Sequence, residues 1–283
     1  MRAMLTIGMI AVMLTACGGG GDNNDDSQPD VVADTGGGAE IAATDVEEDT
    51  GGVLECPGMP NLTGHAFRAT ALIASEPTDK VNEVWATDIA AYTLVIVFYV
   101  VEHRPEEQVA TVKITSAWAE VEDDGAGNIT PLQYQYALEP VVFELGIEGC
   151  KLKIIDQIEL DIMTPTVSKP FHVFGISGWG EITEDGKEIT KLQLAGFIRE
   201  SEAFDLCLEI PGLGAANFHW FMNLAHICAN ADSDGDGEID SYYFKGVIKA
   251  TQETDLFKPD ESHPIETLVL ECIPDEVACV PVD

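Results

Sequence analysis

The chain has 283 residues, with 50 acidic against 14 basic side chains and a formal net charge of −36. A field of that sign repels phosphate backbones and anionic lipid head groups, which excludes nucleic-acid binding and electrostatic attachment to a membrane surface. The same field attracts cations, divalent metal among them.

In chain order, the first element is residues 1–17, MRAMLTIGMIAVMLTAC. Arg2 gives a positive start, Met4 to Leu14 is an apolar run too short to span a bilayer, and Leu14-Thr15-Ala16-Cys17 closes it with small residues before a cysteine. The ending resembles the lipobox of bacterial lipoproteins. That resemblance implies cleavage before Cys17, lipid on its sulfur and attachment to a membrane through the acyl chains. Gly18 after the lipid cysteine favours the outer membrane by the same resemblance, on its periplasmic or its exposed side, in a cell envelope that permits disulfides.

Residues 18–55 combine glycine clusters (Gly18 to Gly21, Gly36 to Gly38, Gly51-Gly52) with acidic side chains, and hold no aromatic residue, Lys or Arg. Such a segment buries too little apolar surface to order itself, and it reads as a disordered acidic tether. Residues 56–283 have the composition of one sizeable core.

Within that domain, alternation with period 2 dominates. Strands are expected over 65–75, over Tyr92 to Val101, around Val112–Trp118, over 132–145, over Leu152–Ile162 and over 171–182. The run Tyr92 to Val101 is apolar throughout and predicts a strand covered on both faces. In Leu152–Ile162, Asp156 interrupts the apolar face. The segments 176–182 and 188–198 predict a hairpin across Glu184-Asp185-Gly186-Lys187. Tyr242, Phe244, Ile248 and Ala250 mark one more strand. Helices are expected over Ser201–Cys207, with Ser201 as N-cap, and over Ala215–Ala229. The fold class is therefore mainly β: an antiparallel β-sandwich or barrel of about eight or nine strands with a short helical insertion at 201–229.

The clearest chemistry lies at 232–243, DSDGDGEIDSYY. Asp232, Asp234 and Asp236 recur at every second residue, Gly237 follows where a sharp turn needs positive φ, and Glu238 and Asp240 offer further oxygens. Clustered carboxylates repel one another without a cation. The pattern resembles an EF-hand-type loop and the related loops of dockerins and thrombospondin type 3 repeats. This resemblance implies calcium held by Asp232, Asp234, Asp236, Glu238 and Asp240, with Ile239 anchoring the loop in the core. It departs at position 12, where Tyr243 stands in place of a carboxylate, so either a carboxylate from elsewhere takes that place, with Asp255 and Glu253 as candidates, or the loop binds weakly. The alternative is a solvated acidic turn.

Six cysteines remain beyond Cys17: Cys56, Cys150, Cys207, Cys228, Cys272 and Cys279. An even number in an exported chain reads as disulfides, whose connectivity sequence leaves open. The pairing expected is Cys207–Cys228, Cys272–Cys279 and Cys56–Cys150. His219, Asn223 and His226 share one face of the expected helix and read as packed or hydrogen-bonded groups rather than metal ligands. Trp85, Trp118, Trp179 and Trp220 read as core, with a sugar or lipid site as the alternative. Gly175-Ile-Ser-Gly-Trp-Gly180 resembles a nucleophile elbow only superficially and reads as β-structure with close backbone approach.

The whole chain resembles acidic bacterial lipoproteins of this layout. The expectation is a lipid-anchored, non-enzymatic protein that binds a protein, glycan or small apolar ligand or serves a structural role. The alternatives are a lipocalin-like carrier with an apolar cavity and a carbohydrate-active enzyme on a β-scaffold.

Overall fold

The computed structural model describes residues 56, 58–77, 79, 82–164, 167–210, 214–224, 227–265 and 272. The signal, the lipid cysteine Cys17, the tether and Cys279 lie outside the described residues.

The elements in chain order are β1 (Ala66–Glu76), α1 (Asn82–Ala90), β2 (Ile96–Arg104), β3 (Val109–Asp123), β4 (Ile129–Tyr136), β5 (Val141–Glu148), β6 (Lys151–Ile154), β7 (Ile158–Ile162), β8 (Phe171–Ile182), β9 (Glu188–Arg199), α2 (Glu200–Asp205), β10 (Cys207–Ile210), β11 (Gly214–Asn217), α3 (Phe218–Leu224), β12 (Ser241–Gln252) and β13 (Phe257–Ser262). Eight of them, β1, β2, β3, β5, β6, β8, β9 and β12, close into an antiparallel barrel, the pairing of β3 with β5 completing the ring. The fold is thus a barrel and not a sandwich.

The barrel interior is filled. Phe67 and Leu72 from β1, Ile96 and Phe98 from β2, Val112 and Ile114 from β3, Phe143 from β5, Leu152 from β6, Ile176 from β8, Leu192 and Leu194 from β9 and Phe244 and Ile248 from β12 belong to one buried cluster. Alternation puts every second side chain inward, and eight strands enclose about the space those side chains occupy.

The apolar run at 92–101 is covered on both faces for a reason specific to this fold. β3 is long: its first half, 109–114, pairs with β5 in the wall, while 117–123 pairs with β4. β4 then carries β13 in parallel. Together they cover the outside of β1, β2 and β3 with a second small core of Ala66, Val95, Val97, Ala117, Tyr134, Tyr136 and Phe257. Ile96 and Phe98 face in and Val95 and Val97 face out. Beneath this flap the Arg68 guanidinium pairs with Glu253 at 3.0 Å, and the Tyr134 hydroxyl donates to Glu253 Oε2 at 2.5 Å. Burial and the Glu253 carboxylate hold the Tyr134 phenol far above its usual range.

Several sequence expectations are corrected. The strand does not start at Tyr92, which has φ +57°; that residue follows α1, a helix the periodicity missed, and β2 begins at Ile96. Thr93 closes the end of α1 through its hydroxyl to Asp88 Oδ1 at 3.0 Å. The segment 132–145 is two strands divided before Val141 at Glu139-Pro140, because β4 leaves the wall for the flap while β5 stays in it. The segment 152–162 is likewise two strands, β6 and β7. The exposed Asp156 lies in the break, and β7 pairs with the first half of β8. The insertion at 201–229 is not mainly helical. β10 and β11 form a two-stranded hairpin within it, α3 spans only Phe218–Leu224, and α2 begins after Arg199 so that Ser201 lies inside it. Asn217 supplies the cap of α3 instead, its Oδ1 accepting from Trp220 N at 2.6 Å.

The expected hairpin forms as β8 and β9. Gly186, at φ +67°, donates to the Thr183 carbonyl at 2.9 Å. A Cβ on Gly186 would meet Leu62 Cδ2 at 2.7 Å, which shows what closes this end of the barrel. Residues 58–65 form a plug whose Leu62 is 1% exposed. Leu62 N donates to His103 Nδ1 at 3.1 Å, and His103 N donates to Thr63 Oγ1 at 2.8 Å. The disulfide Cys56–Cys150 fastens the plug to the turn between β5 and β6.

Burial lowers the His103 pKa below its ordinary value, so the neutral ring is the one that accepts from the plug. A histidine lowered in the folded state leaves stability intact above the unfolded value of about 6.5. Stability is lost as pH falls through the lowered value, because the unfolded chain takes up the proton first. Urea melts at pH 7 and pH 5 should show a loss on acidification that His103→Gln reduces. An unchanged pH slope in that variant would remove His103 from the account.

A candidate metal centre at the far end of the barrel

The loop 232–240 sits at the other end from the plug. β12 starts at Ser241 beside the loop and ends at Gln252, whose amide donates to the Lys187 carbonyl in the β8–β9 turn at 2.8 Å. A strand of that length spans roughly 35–40 Å.

The loop is built by its own backbone. Asp232 Oδ1 accepts from Gly235 N and Oδ2 from Gly237 N, both at 2.8 Å. Asp234 Oδ1 accepts from Asp236 N at 3.2 Å and Asp236 Oδ1 from Glu238 N at 2.8 Å. Gly235 and Gly237 have φ of +79° and +93°, a conformation that a Cβ penalises. The amide of Gly237 and its neighbours hold the Asp232 carboxyl below the usual carboxylate range. One oxygen each of Asp232, Asp234 and Asp236 lies within 4.8 Å of the others. Oxygens about 2.4 Å from a common ion stand at most about 4.8 Å apart, so these three are close enough together to share one cation.

The remaining expected ligands are placed differently. Asp240 Oδ1 accepts from Ser233 Oγ at 3.0 Å and its backbone bonds Ala231, so it joins the neck of the loop. Glu238 is exposed and outside the triad. Ile239 does not anchor the loop in the core; it is 55% exposed. Tyr243 lies in β12 opposite Phe197. Glu253 and Asp255 follow the far end of β12, with Glu253 held by Arg68, so neither supplies the carboxylate missing at position 12. The Asp240 carbonyl accepts from Glu200 N at 2.8 Å, which ties the end of the loop to the start of α2.

The disulfides are partly as expected. Cys56 pairs with Cys150. Cys207 pairs with Cys272, their Cα atoms 5.7 Å apart, and not with Cys228, so Cys272–Cys279 is excluded as well. Proximity in sequence misled here: Cys207 opens β10 opposite Asn217, and the chain passes through α3 before Cys228. Cys228 is also disulfide-bonded.

His219 is buried, stacked on Phe204 at 3.8 Å, with its Nδ1 3.2 Å from Asn223 Nδ2 and its Nε2 3.4 Å from Glu200; His226 lies outside the described residues. The tryptophans are not brought together. Trp85 packs edge-on to Phe244, Trp118 stacks on His263 in the flap, and Trp179 lies on the outer wall under Lys191. Ser177 is an ordinary residue of β8 opposite Ala195. A pair the sequence did not mark is His172–Asp161, with Nδ1 to Oδ1 at 2.8 Å across β8 and β7. The only signal was Asp161 on the wet face of its strand, and nothing in the sequence joins it to His172.

Fold and site together define a disulfide-braced, eight-stranded β-barrel, plugged at one end and carrying an acidic loop at the other. No family model matches the chain, and no curated protein or solved structure matches it.

Proposed function

We propose that this protein is a lipid-anchored lipoprotein of the bacterial cell envelope that displays a calcium-stabilised β-barrel and has a non-enzymatic binding or structural role. The anchor reading rests on Leu14-Thr15-Ala16-Cys17 and the acidic, glycine-rich composition of 18–55. The observation that carries the calcium reading is the triad of Asp232, Asp234 and Asp236 oxygens within 4.8 Å. Calcium would be held by those three carboxylates and would neutralise their mutual repulsion, fixing the junction between the loop and β12. An apolar ligand inside the barrel is not favoured, since the inward side chains of its strands pack into one cluster.

Calcium titration of the full chain by calorimetry, with melting curves in calcium and in chelator, tests the metal. One bound ion with a dissociation constant on the order of 10⁻⁴–10⁻³ M, a raised melting point, and loss of both in Asp234→Ala are expected. No heat and no shift at millimolar calcium would reduce the loop to an acidic turn. Mass spectrometry of the amino terminus, with Cys17→Ala as the control, tests the lipid.

A further inference from the structure

Five of the chain's 14 basic side chains stand on one stretch of the outer barrel wall, across the neighbouring strands β6, β8, β9 and β12. Leu152 and Ile154 point inward from β6, so Lys151 and Lys153 face out. Leu192 and Leu194 turn Lys191 out from β9, and Phe244, Ile248 and Ala250 turn out Lys245 and Lys249 from β12. Register joins them. Lys153 lies opposite Trp179, Trp179 opposite Gln193, Gln193 opposite Val247 and Val247 opposite Ile73. Lys191 Nζ stands 4.1 Å from the Trp179 ring centroid, and Ile73 is 44% exposed. Glu181 lies opposite both Lys151 and Lys191, Glu148 opposite Lys151 and Glu76 opposite Lys245. Five lysines against those three glutamates give this wall a local positive excess, with a partly apolar row running through it, in a chain of net charge −36.

The segment joined to the edge of this wall has the opposite charge. Cys56 is bonded to Cys150, the residue before Lys151, with Cα atoms 5.5 Å apart. The residues before Cys56 read Asp45-Val46-Glu47-Glu48-Asp49-Thr50-Gly51-Gly52-Val53-Leu54-Glu55: five carboxylates, three apolar side chains and no cation. Extended chain covers about 3.3–3.6 Å per residue, so positions 45–49 reach roughly 23–40 Å from Cys56. From β6 to β12 is three strand spacings, about 14–15 Å, which that reach exceeds. One exposed ion pair contributes little, but several act together here. Covalent attachment also holds the segment at an effective concentration on the order of millimolar.

We propose that residues 45–55 dock on the outer wall of β6, β8, β9 and β12, with their carboxylates against Lys153, Lys191, Lys245 and Lys249 and their apolar side chains along Trp179, Val247 and Ile73. Docking takes these residues out of the spacer, and salt releases them, so the distance between barrel and anchor depends on ionic strength. The docking itself needs no anchor; this consequence rests on the lipoprotein reading above.

A carbodiimide, which couples a carboxylate to a lysine amine in contact with it, is the probe, applied to the full chain and read by peptide mass spectrometry. Cross-links from Asp45, Glu47, Glu48 or Asp49 to Lys153, Lys191 or Lys245 are expected at about 0.01 M salt, falling about fivefold or more at about 1 M. Mixed isotope-labelled and unlabelled chains should show them within one chain. Lys191→Glu with Lys245→Glu should remove most of them, and Lys169→Glu, beside Asp205 at another part of the surface, should not. No such cross-links, cross-links indifferent to salt, cross-links spread equally to Lys169, or cross-links only between chains would overturn the proposal. Where the double lysine variant does not fold, replacing Asp45, Glu47, Glu48 and Asp49 by their amides leaves the wall unaltered. The reactivity of Lys191 and Lys245 toward an acylating reagent should then rise about threefold at low salt, and unchanged reactivity rejects the docking. A chain lipidated at Cys17 without these cross-links rejects the docking alone, and a cross-linked chain without lipid rejects the anchor alone.

Discussion

Replacing Cys56 and Cys150 together by serine is expected to lower stability by about 4–5 kcal/mol. The bridge joins positions separated by 94 residues, so its loss frees a long loop in the unfolded chain, and loop-closure entropy grows with that length. The folded state is affected as well. Residues 58–65 are held at one end of the barrel by the burial of Leu62, the hydrogen bonds of Leu62 and Thr63 with His103, the backbone hydrogen bonds of Gly64 and His65 with Val100, and this bridge. With the bridge removed, the plug keeps only the noncovalent contacts, and Leu62 is exposed whenever it opens. Urea denaturation of the double variant, with the Cys207–Cys272 bridge left intact, measures the effect. A loss below about 1 kcal/mol would mean that the plug docks without its covalent tie.

Gly180→Val is expected to cost about 3 kcal/mol or more, and Gly180→Ala a large part of that. Gly178 and Gly180 face the interior from β8, where β9 passes very close. A Cβ on Gly180 would fall on the Lys191 carbonyl oxygen and lie 2.9 Å from Leu192 Cα, both backbone atoms of β9. Backbone in a paired strand does not move aside as a side chain does, so the two strands would have to part. Gly146 is the control: its Cβ would meet the Lys153 carbonyl at 3.5 Å, an ordinary contact, and Gly146→Ala should cost less than about 1 kcal/mol. Equal losses at the two positions would show that glycine matters here through chain entropy and not through strand approach.

The Gly-Trp-Gly segment illustrates what could be read from the chain. Its glycines signalled close backbone approach, and the structure shows which strand approaches. The acidic loop was legible for the same local reason: glycines at Gly235 and Gly237 and carboxylates at alternate positions are properties of a few consecutive residues. Its neighbourhood was not. Glu253 and Asp255 seemed available in sequence, yet β12 carries them to the opposite end of the barrel.

By itself the sequence determined the mainly β class, the β8–β9 hairpin, the acidic turn and the inward faces of the strands, since alternation, turn residues and local carboxylate spacing act over a few residues. Only the tertiary structure decided that the sheet closes into a barrel, that β4 and β13 fold over its outer face, that 152–162 breaks at Asp156, and that Cys207 meets Cys272. Those outcomes depend on pairings between residues far apart in the chain. Whether an apolar face meets the barrel interior or the flap, and which cysteine lies 5.7 Å away, is fixed by how the strands associate and not by any segment's own preference.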